Sequence, residues 1–241
     1  MTTSFCFKLF TKYMLNEETI NEKVLAEFYE IITENKKEMF DRIASERTKH
    51  LTVVLENIYQ EHNASAVLRT CDCFGIQELH VIEKNNQYKV QRDIALGAGR
   101  WVDMYNYNKG PQVTEDCINR LKNNGYRIVA TTPHTEQTIY DLELSQPIAL
   151  VFGTERQGIS EDVEKLADSF VKIPMYGFTE SFNISVSVAI TLNTLRNRLE
   201  GSACDWKLNH NEQVALKNKW CKKIINGGEK LEKHFITKYS K

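Results

Sequence analysis

The chain predicts an α/β fold, a largely parallel Rossmann-like sheet flanked by short helical extensions. Short β-branched apolar runs alternate with segments of helical period from Leu51 to Leu199, the pattern of strands buried on both faces and linked by crossover helices. The residues before Leu51 and after Leu199 read as helix alone. At 241 residues there is room for one sizeable core with terminal additions, divided at about residues 1–47, 48–200 and 201–241.

Each element follows from its own stretch. Between Glu17 and Arg47, Ile20, Val24, Phe28, Ile31, Ile32, Met39 and Ile43 recur at helical steps, which predicts one or two amphipathic helices. Leu51–Leu55 is the first strand, and a helix over Ala64–Phe74 follows, closed by Gly75 at its C′ position. Leu79–Ile82 is a second strand. Residues 91–107 stay open between a loop that comes close to a neighbour and a break between a short helix and a strand, at Gly97, Ala98 and Gly99. A helix over Glu115–Asn124 ends at Gly125, and a strand over Arg127–Thr131 stops before Pro133. Ile148–Phe152 is a strand that runs into Gly153, and Ser160 caps a helix reaching about Asp168. Asn211–Ile225 and Gly228–Tyr239 predict two lysine-rich helices.

Composition narrows the function. Hydrophobic residues make up 41% and charged residues 26%, ordinary for a globular protein. A net charge of −1 hides an asymmetry, since from Arg196 onward eleven Lys and Arg face five Asp and Glu. Such a basic tail suits a polyanion, although a solvated helix face has the same composition. The six cysteines form no Cys-x-x-Cys pair and have no His at zinc spacing, so they read as reduced thiols of a cytoplasmic protein with no metal site. No apolar run approaches the roughly 20 residues of a membrane span. MTTSFCFKLF at the start lacks a basic region and a cleavage pattern, and reads as a loose leader without export. Neither a Gly-x-Gly-x-x-Gly with a downstream acid nor a Walker lysine occurs in the loops after the strands.

The stretch Val171–Glu200 organises the rest. A short strand breaks at Pro174 and Gly177, a polar loop follows, and a long helix runs to Leu199. Ser181, Asn183, Ser185 and Ser187 crowd its start, where one N-cap would suffice. The surplus is either ligand-binding or small packing residues, and both readings stand on the residues alone.

Three segments together resemble a known family. Asn57–Gly75 (NIYQEHNASAVLRTCDCFG), Leu150–Ser160 (LVFGTERQGIS) and Lys172–Ser187 (KIPMYGFTESFNISVS) are similar to the three motifs of the SpoU branch of SPOUT RNA methyltransferases, with Phe182 where Leu is usual. The resemblance implies a deep trefoil knot near the C-terminal end of the domain, with S-adenosylmethionine bent in its pocket. It implies cofactor contacts from Thr131, Gly153, Ile173, Met175 and Phe182. It sets Asn63 and Arg69 facing the donor methyl, Ser181 and Asn183 completing the site, and Glu155 orienting neighbours. Members are homodimers that methylate a ribose 2′-hydroxyl. The short helical ends favour the tRNA enzymes acting on the D-loop guanosine at position eighteen. Ribosomal RNA, another tRNA position, or a non-catalytic RNA-binding protein of the same fold are the alternatives. On this reading Arg196, Arg198, Lys217 and Lys222 hold RNA phosphates.

Overall fold

The computed structural model describes residues 18–84, 88–154 and 157–240. In chain order the elements are α1 (residues 18–29), α2 (Glu34–Ala44), β1 (Leu51–Glu56), α3 (Glu61–Cys73), β2 (Glu78–Ile82), α4 (Arg92–Ala95), β3 (Asp103–Tyr107) and α5 (Val113–Asn123). Then come β4 (Arg127–Thr131), β5 (Ile148–Phe152), α6 (Glu161–Leu166), β6 (Ser169–Val171), α7 (Ile184–Glu200), α8 (His210–Ile224) and α9 (Gly228–Tyr239). They fall into two units, one of Arg47–Lys207 and one that joins the N-terminal segment through Glu46 to Leu208–Lys241.

The first unit is a six-stranded sheet in the order β3-β2-β1-β5-β4-β6, with every neighbouring pair parallel. The central strands β1 and β5 are buried along their whole length, which is why LTVVLE and IALVF carry almost no alternation. Their side chains nevertheless alternate in destination. Val53, Leu55, Leu150 and Phe152 pack with Val67 and Leu68 of α3 and Val188, Leu192 and Leu195 of α7. Val54, Ala149 and Val151 pack with Cys117, Ile118 and Leu121 of α5 and Val163 of α6 on the opposite face. The architecture is therefore helix, sheet, helix, with the six strands ending on one edge.

Gly75 and Gly125 close α3 and α5 as their positions predicted. Both have positive φ (72° and 83°), and Ile76 N donates to Cys71 O while Tyr126 N donates to Leu121 O. Those bonds satisfy helix-end carbonyls in the Schellman pattern. Two helix starts lie earlier than the sequence suggested, at Glu61 and Val113. Residues 91–107 contain α4, a 3₁₀ turn over Ala98–Arg100 and the edge strand β3. No position of β3 is fully buried, so its apolar signal is weak, and positive φ at Leu96 and Gly97 breaks the chain before it. Among the described residues no helix is long and apolar enough to cross a membrane.

The second unit gathers helices from both chain ends. Phe28 of α1 meets Phe235 of α9 edge to face with ring centroids 5.4 Å apart, and Phe40 of α2 lies 5.3 Å from Trp220 of α8. Lys217 pairs with Asp41 at 2.7 Å, and Asn218 Nδ2 donates to the carbonyl of Asn21. Residues 201–207, by contrast, stay with the sheet, where Thr48 Oγ1 donates to the Trp206 carbonyl.

Trp220 is nearly inaccessible, so Trp220→Ala is expected to cost about 3–5 kcal/mol. In hydrogen exchange the loss should reach α1 and α2 as well as α8, while the amides of β1 and β5 keep their protection. Thiol reactivity tests the core separately. Burial pushes the thiols of Cys117 and Cys221 up to about 12 and raises that of Cys71 too, whereas Cys73 is exposed and Cys204 half-buried. Alkylation of the native protein at mildly alkaline pH, mapped by peptide mass, should therefore mark Cys73 and Cys204 before the other three.

Candidate active site

The loops after β1, β4, β5 and β6 converge at the C-terminal edge of the sheet, and hydrogen bonds between distant side chains fix how they meet. Asn57 leaves β1 with φ 54°, a left-handed turn that asparagine tolerates, and α3 starts four residues on. Its first turn carries Asn63, only 2% exposed. A buried amide must find partners. Asn63 Nδ2 donates to Gln60 Oε1 at 3.0 Å, and Asn63 Oδ1 accepts from Asn183 Nδ2 at 3.1 Å. Asn183 is the N-cap of α7, its Oδ1 accepting from Ser185 N at 2.9 Å and from Ser185 Oγ at 2.7 Å. The first and third sequence motifs are thus tied together by their asparagines.

A second tie joins the first motif to the second. Glu56, the last residue of β1 and 3% exposed, accepts from Ser160 N at 2.9 Å and from Ser160 Oγ at 2.6 Å. Ser160 Oγ in turn accepts from Val163 N and caps α6. The role of Glu56 was missed in the sequence. Its one signal there is a carboxylate ending an unbroken apolar run.

Between these ties the chain makes a tight hairpin, with Thr154 and Gly158 exchanging backbone bonds of 2.8 and 3.0 Å. A Cβ on Gly153 would stand 2.1 Å from the Gly158 backbone, and Gly158 has φ +70°. Both glycines are therefore required by the hairpin itself. After β6 the chain runs beside the loop after β4, with Lys172 N donating to Gln137 O and Ile139 N to Lys172 O.

A cavity of about 130 Å³ opens among these loops. Phe152, Val171, Ile173 and Ile184 give it an apolar floor, and Thr131, Thr154, Ser181 and Ser187 add hydroxyls. Thr131 Oγ1 donates to the Val151 carbonyl, which leaves its lone pairs available as acceptors. Lys172 and Glu180 are its charged lining residues, and Lys172 pairs at 3.7 Å with the fully exposed Glu136. An apolar floor with a few placed hydroxyls suits a nucleoside-like ligand. Among the described residues no three His, Cys, Asp or Glu converge as a metal site.

The five residues expected to touch the cofactor, Thr131, Gly153, Ile173, Met175 and Phe182, all line this cavity, and so does Ser181. Asn63 and Asn183 join each other as described. Neither Asn63 nor Arg69 is among the residues that line the cavity. Six residues along a helix correspond to about 120° around it, and Arg69 is exposed with no hydrogen-bond or ion-pair partner among the described residues. Glu155 lies outside the described residues.

The four cations expected on RNA are engaged inside the protein. Arg196 lies 3.8 Å over the Trp206 ring and pairs with Glu200 at 2.8 Å. Arg198 donates to the carbonyls of Ile139 and Leu142 at 3.0 and 2.6 Å, clipping the β4–β5 connection. Lys217 is held by Asp41 and Lys222 by Glu232. A charge count along the chain cannot register carbonyls and carboxylates brought in from elsewhere.

Comparison with known proteins agrees with the geometry. Residues 50–193 match the model of the SpoU rRNA Methylase family. The chain is 40% identical over 210 residues, 87% of its length and 93% of the relative's, to a tRNA (guanosine(18)-2'-O)-methyltransferase of Borreliella burgdorferi. A solved structure of the A. aeolicus TrmH/SpoU tRNA modifying enzyme superimposes with TM-score 0.70 at 30% identity, covering 80% of this chain and 98% of that one. The SpoU methyltransferase AviRb of Streptomyces viridochromogenes, solved in complex with the cofactor AdoMet, shares the fold with TM-score 0.56 at 22% identity, covering 67% and 62%.

Gly153→Ala puts a methyl group against backbone, so it is expected to displace the 154–158 hairpin. Calorimetry should register at least a tenfold loss of affinity for the cavity's ligand, together with a lowered melting temperature.

Proposed function

The chain belongs to the SpoU methylase family, and from that premise we propose that it transfers a methyl group from S-adenosylmethionine to a ribose 2′-hydroxyl of tRNA, at guanosine 18. The observation that carries the reading is the cavity itself, walled by the second and third motifs and braced through Asn183 by the first. Similarity to a guanosine-18 enzyme over 93% of that enzyme's length supports the substrate.

S-adenosylmethionine, when bound, supplies a methyl group on a sulfonium. Thr131, Gly153, Ile173, Met175 and Phe182 hold it, using backbone groups and the apolar floor. Ser181 lies within reach of the reacting groups, while Asn63 and Asn183 fix the start of α7 behind it. Glu155 orients its neighbours, as the motif implies. The trefoil knot belongs to the same proposal, supported by the way Lys172 runs alongside Gln137–Ile139.

Arg69 acts as a phosphate and oxyanion clamp. A guanidinium holds its proton so firmly that a neutral population at pH 7 costs roughly 7 kcal/mol. General-base catalysis contributes only about 3–5 kcal/mol. An exposed cation with no ion-pair partner among the described residues is available to a phosphate. Arg42, Lys230 and Lys233 are likewise exposed and without ion-pair partners among the described residues, and they take the electrostatic role first expected of the four engaged cations. A cytoplasmic location and a homodimeric state belong to the same proposal, the location supported by similarity to a tRNA-modifying enzyme and by cysteines that are free among the described residues.

Transfer of labelled methyl to bulk tRNA and to ribosomal RNA, with nuclease mapping of the product, tests the proposal. Label at the D-loop guanosine is the expected result, and label confined to ribosomal RNA would overturn the substrate. Arg69→Lys keeps the charge but loses the planar fork. It should reduce turnover at least a hundredfold with cofactor affinity unchanged, and wild-type turnover would exclude the clamp.

A further inference from the structure

We propose that Tyr176 and Phe178 are an RNA-contacting aromatic pair, stacking on unpaired bases beside the ribose that enters the cleft. This rests on the RNA-methylating reading above. The loop after β6 lines the cavity at Lys172, Ile173 and Met175 and again at Glu180, Ser181 and Phe182. The residues between turn away from it. Tyr176 is 96% and Phe178 107% exposed, and a Cβ on Gly177 between them would meet nothing within 4 Å. The Tyr176 hydroxyl has no hydrogen-bond partner among the described residues. Two large rings thus stand wholly in water on the segment that joins the two halves of the cavity wall.

The reaction supplies the occupant. A ribose hydroxyl can reach the cleft only if its nucleotide is drawn out of a helical stack, which leaves neighbouring bases with open π faces. Residues two apart have Cα atoms no more than about 7 Å from each other. Two stacking intervals of about 3.4 Å span that distance, so the rings can take both faces of one base or one face each of adjoining bases. Charge fits the same arrangement. Lys172 at one end of the loop can exchange the exposed Glu136 for a phosphate, and Glu180 at the other end repels phosphate and favours a neutral base face. Stacking is tolerant of sequence, so the pair selects unstacked loop nucleotides over duplex and does not read base identity.

The test uses the full-length protein. Tyr176→Ala with Phe178→Ala should raise the KM for tRNA roughly tenfold or more, as loss of base–aromatic stacking does, with S-adenosylmethionine affinity and sedimentation unchanged. In Phe178→Trp the indole emission should be quenched by tRNA and by an unstructured RNA oligonucleotide, but not by duplex RNA. An unchanged KM with no quenching would overturn the assignment. A fall in sedimentation coefficient in the double variant would do so too, because a second copy of the chain would then be what covers the rings. Should the wild-type protein methylate no RNA, the functional reading fails, and the quenching titration still decides whether these rings stack on RNA.

Discussion

The hydrogen bond from Asn183 Nδ2 to Asn63 Oδ1 joins the first turns of two helices 120 residues apart in sequence, and the site depends on it. Each amide has its other end filled, by Gln60 on one side and Ser185 on the other, so four residues form one continuous polar chain. A made bond of this kind is worth about 0.5–1.5 kcal/mol net, but a buried amide left without its partner costs roughly 1–3 kcal/mol. The asymmetry matters more than the gain. It penalises any arrangement in which α7 begins elsewhere, and the start of α7 sets the end of the loop that carries Ser181 and Phe182. Glu56 repeats the logic for the second motif, since a carboxylate 3% exposed is bearable only while Ser160 donates to both of its oxygens. Two part-buried polar ties at the end of one sheet edge, anchored on the buried Asn63 and Glu56, thus join three loops.

Charge follows the opposite rule. Arg196, Arg198, Lys217 and Lys222 sit in the basic part of the sequence, yet each is spent on an internal partner. Arg198 illustrates why. Its guanidinium satisfies two carbonyls in the connection between β4 and β5, a job that needs several donors in a fixed fork and that a polyanion could not share. What remains for the proposed RNA contact, among the described residues, is a smaller set of exposed cations, Arg69 of the first motif among them. Clustering of positive charge in a sequence therefore overstates the surface available to phosphate when acids and carbonyls return from distant segments.

The sheet was legible because β1 and β5 are buried on both faces and so appear as unbroken apolar runs, and because the glycines after α3 and α5 are fixed by positive φ. The edge strand β3 was not, since its half-exposed DMYNY lacks a period strong enough to separate it from loop. At the site, the motif resemblance named six of the residues that line the cavity, Thr131, Gly153, Ile173, Met175, Ser181 and Phe182. It could not say which side of α3 carries Arg69, which is exposed about 120° around the helix from the buried Asn63. Nor could it find Glu56, whose importance lies in a partner 104 residues away. The reason for Gly153 also changed. Its missing Cβ makes room for the Gly158 backbone, so the hairpin comes first and any ligand contact follows from it.

The cleft's dimensions bear on how the proposed reaction is assembled. Its volume, about 130 Å³, is smaller than the roughly 300 Å³ from which small-molecule pockets usually start. On the proposed reading the nucleic acid closes the remaining side. Residues that meet it have to be exposed beforehand, and an arginine destined for a phosphate cannot already be paired. The exposure of Arg69, misplaced if it were a base buried beside the donor, is what a clamp requires. The same condition applies to the open aromatic rings on the loop after β6, whose flanking residues on both sides line the cavity.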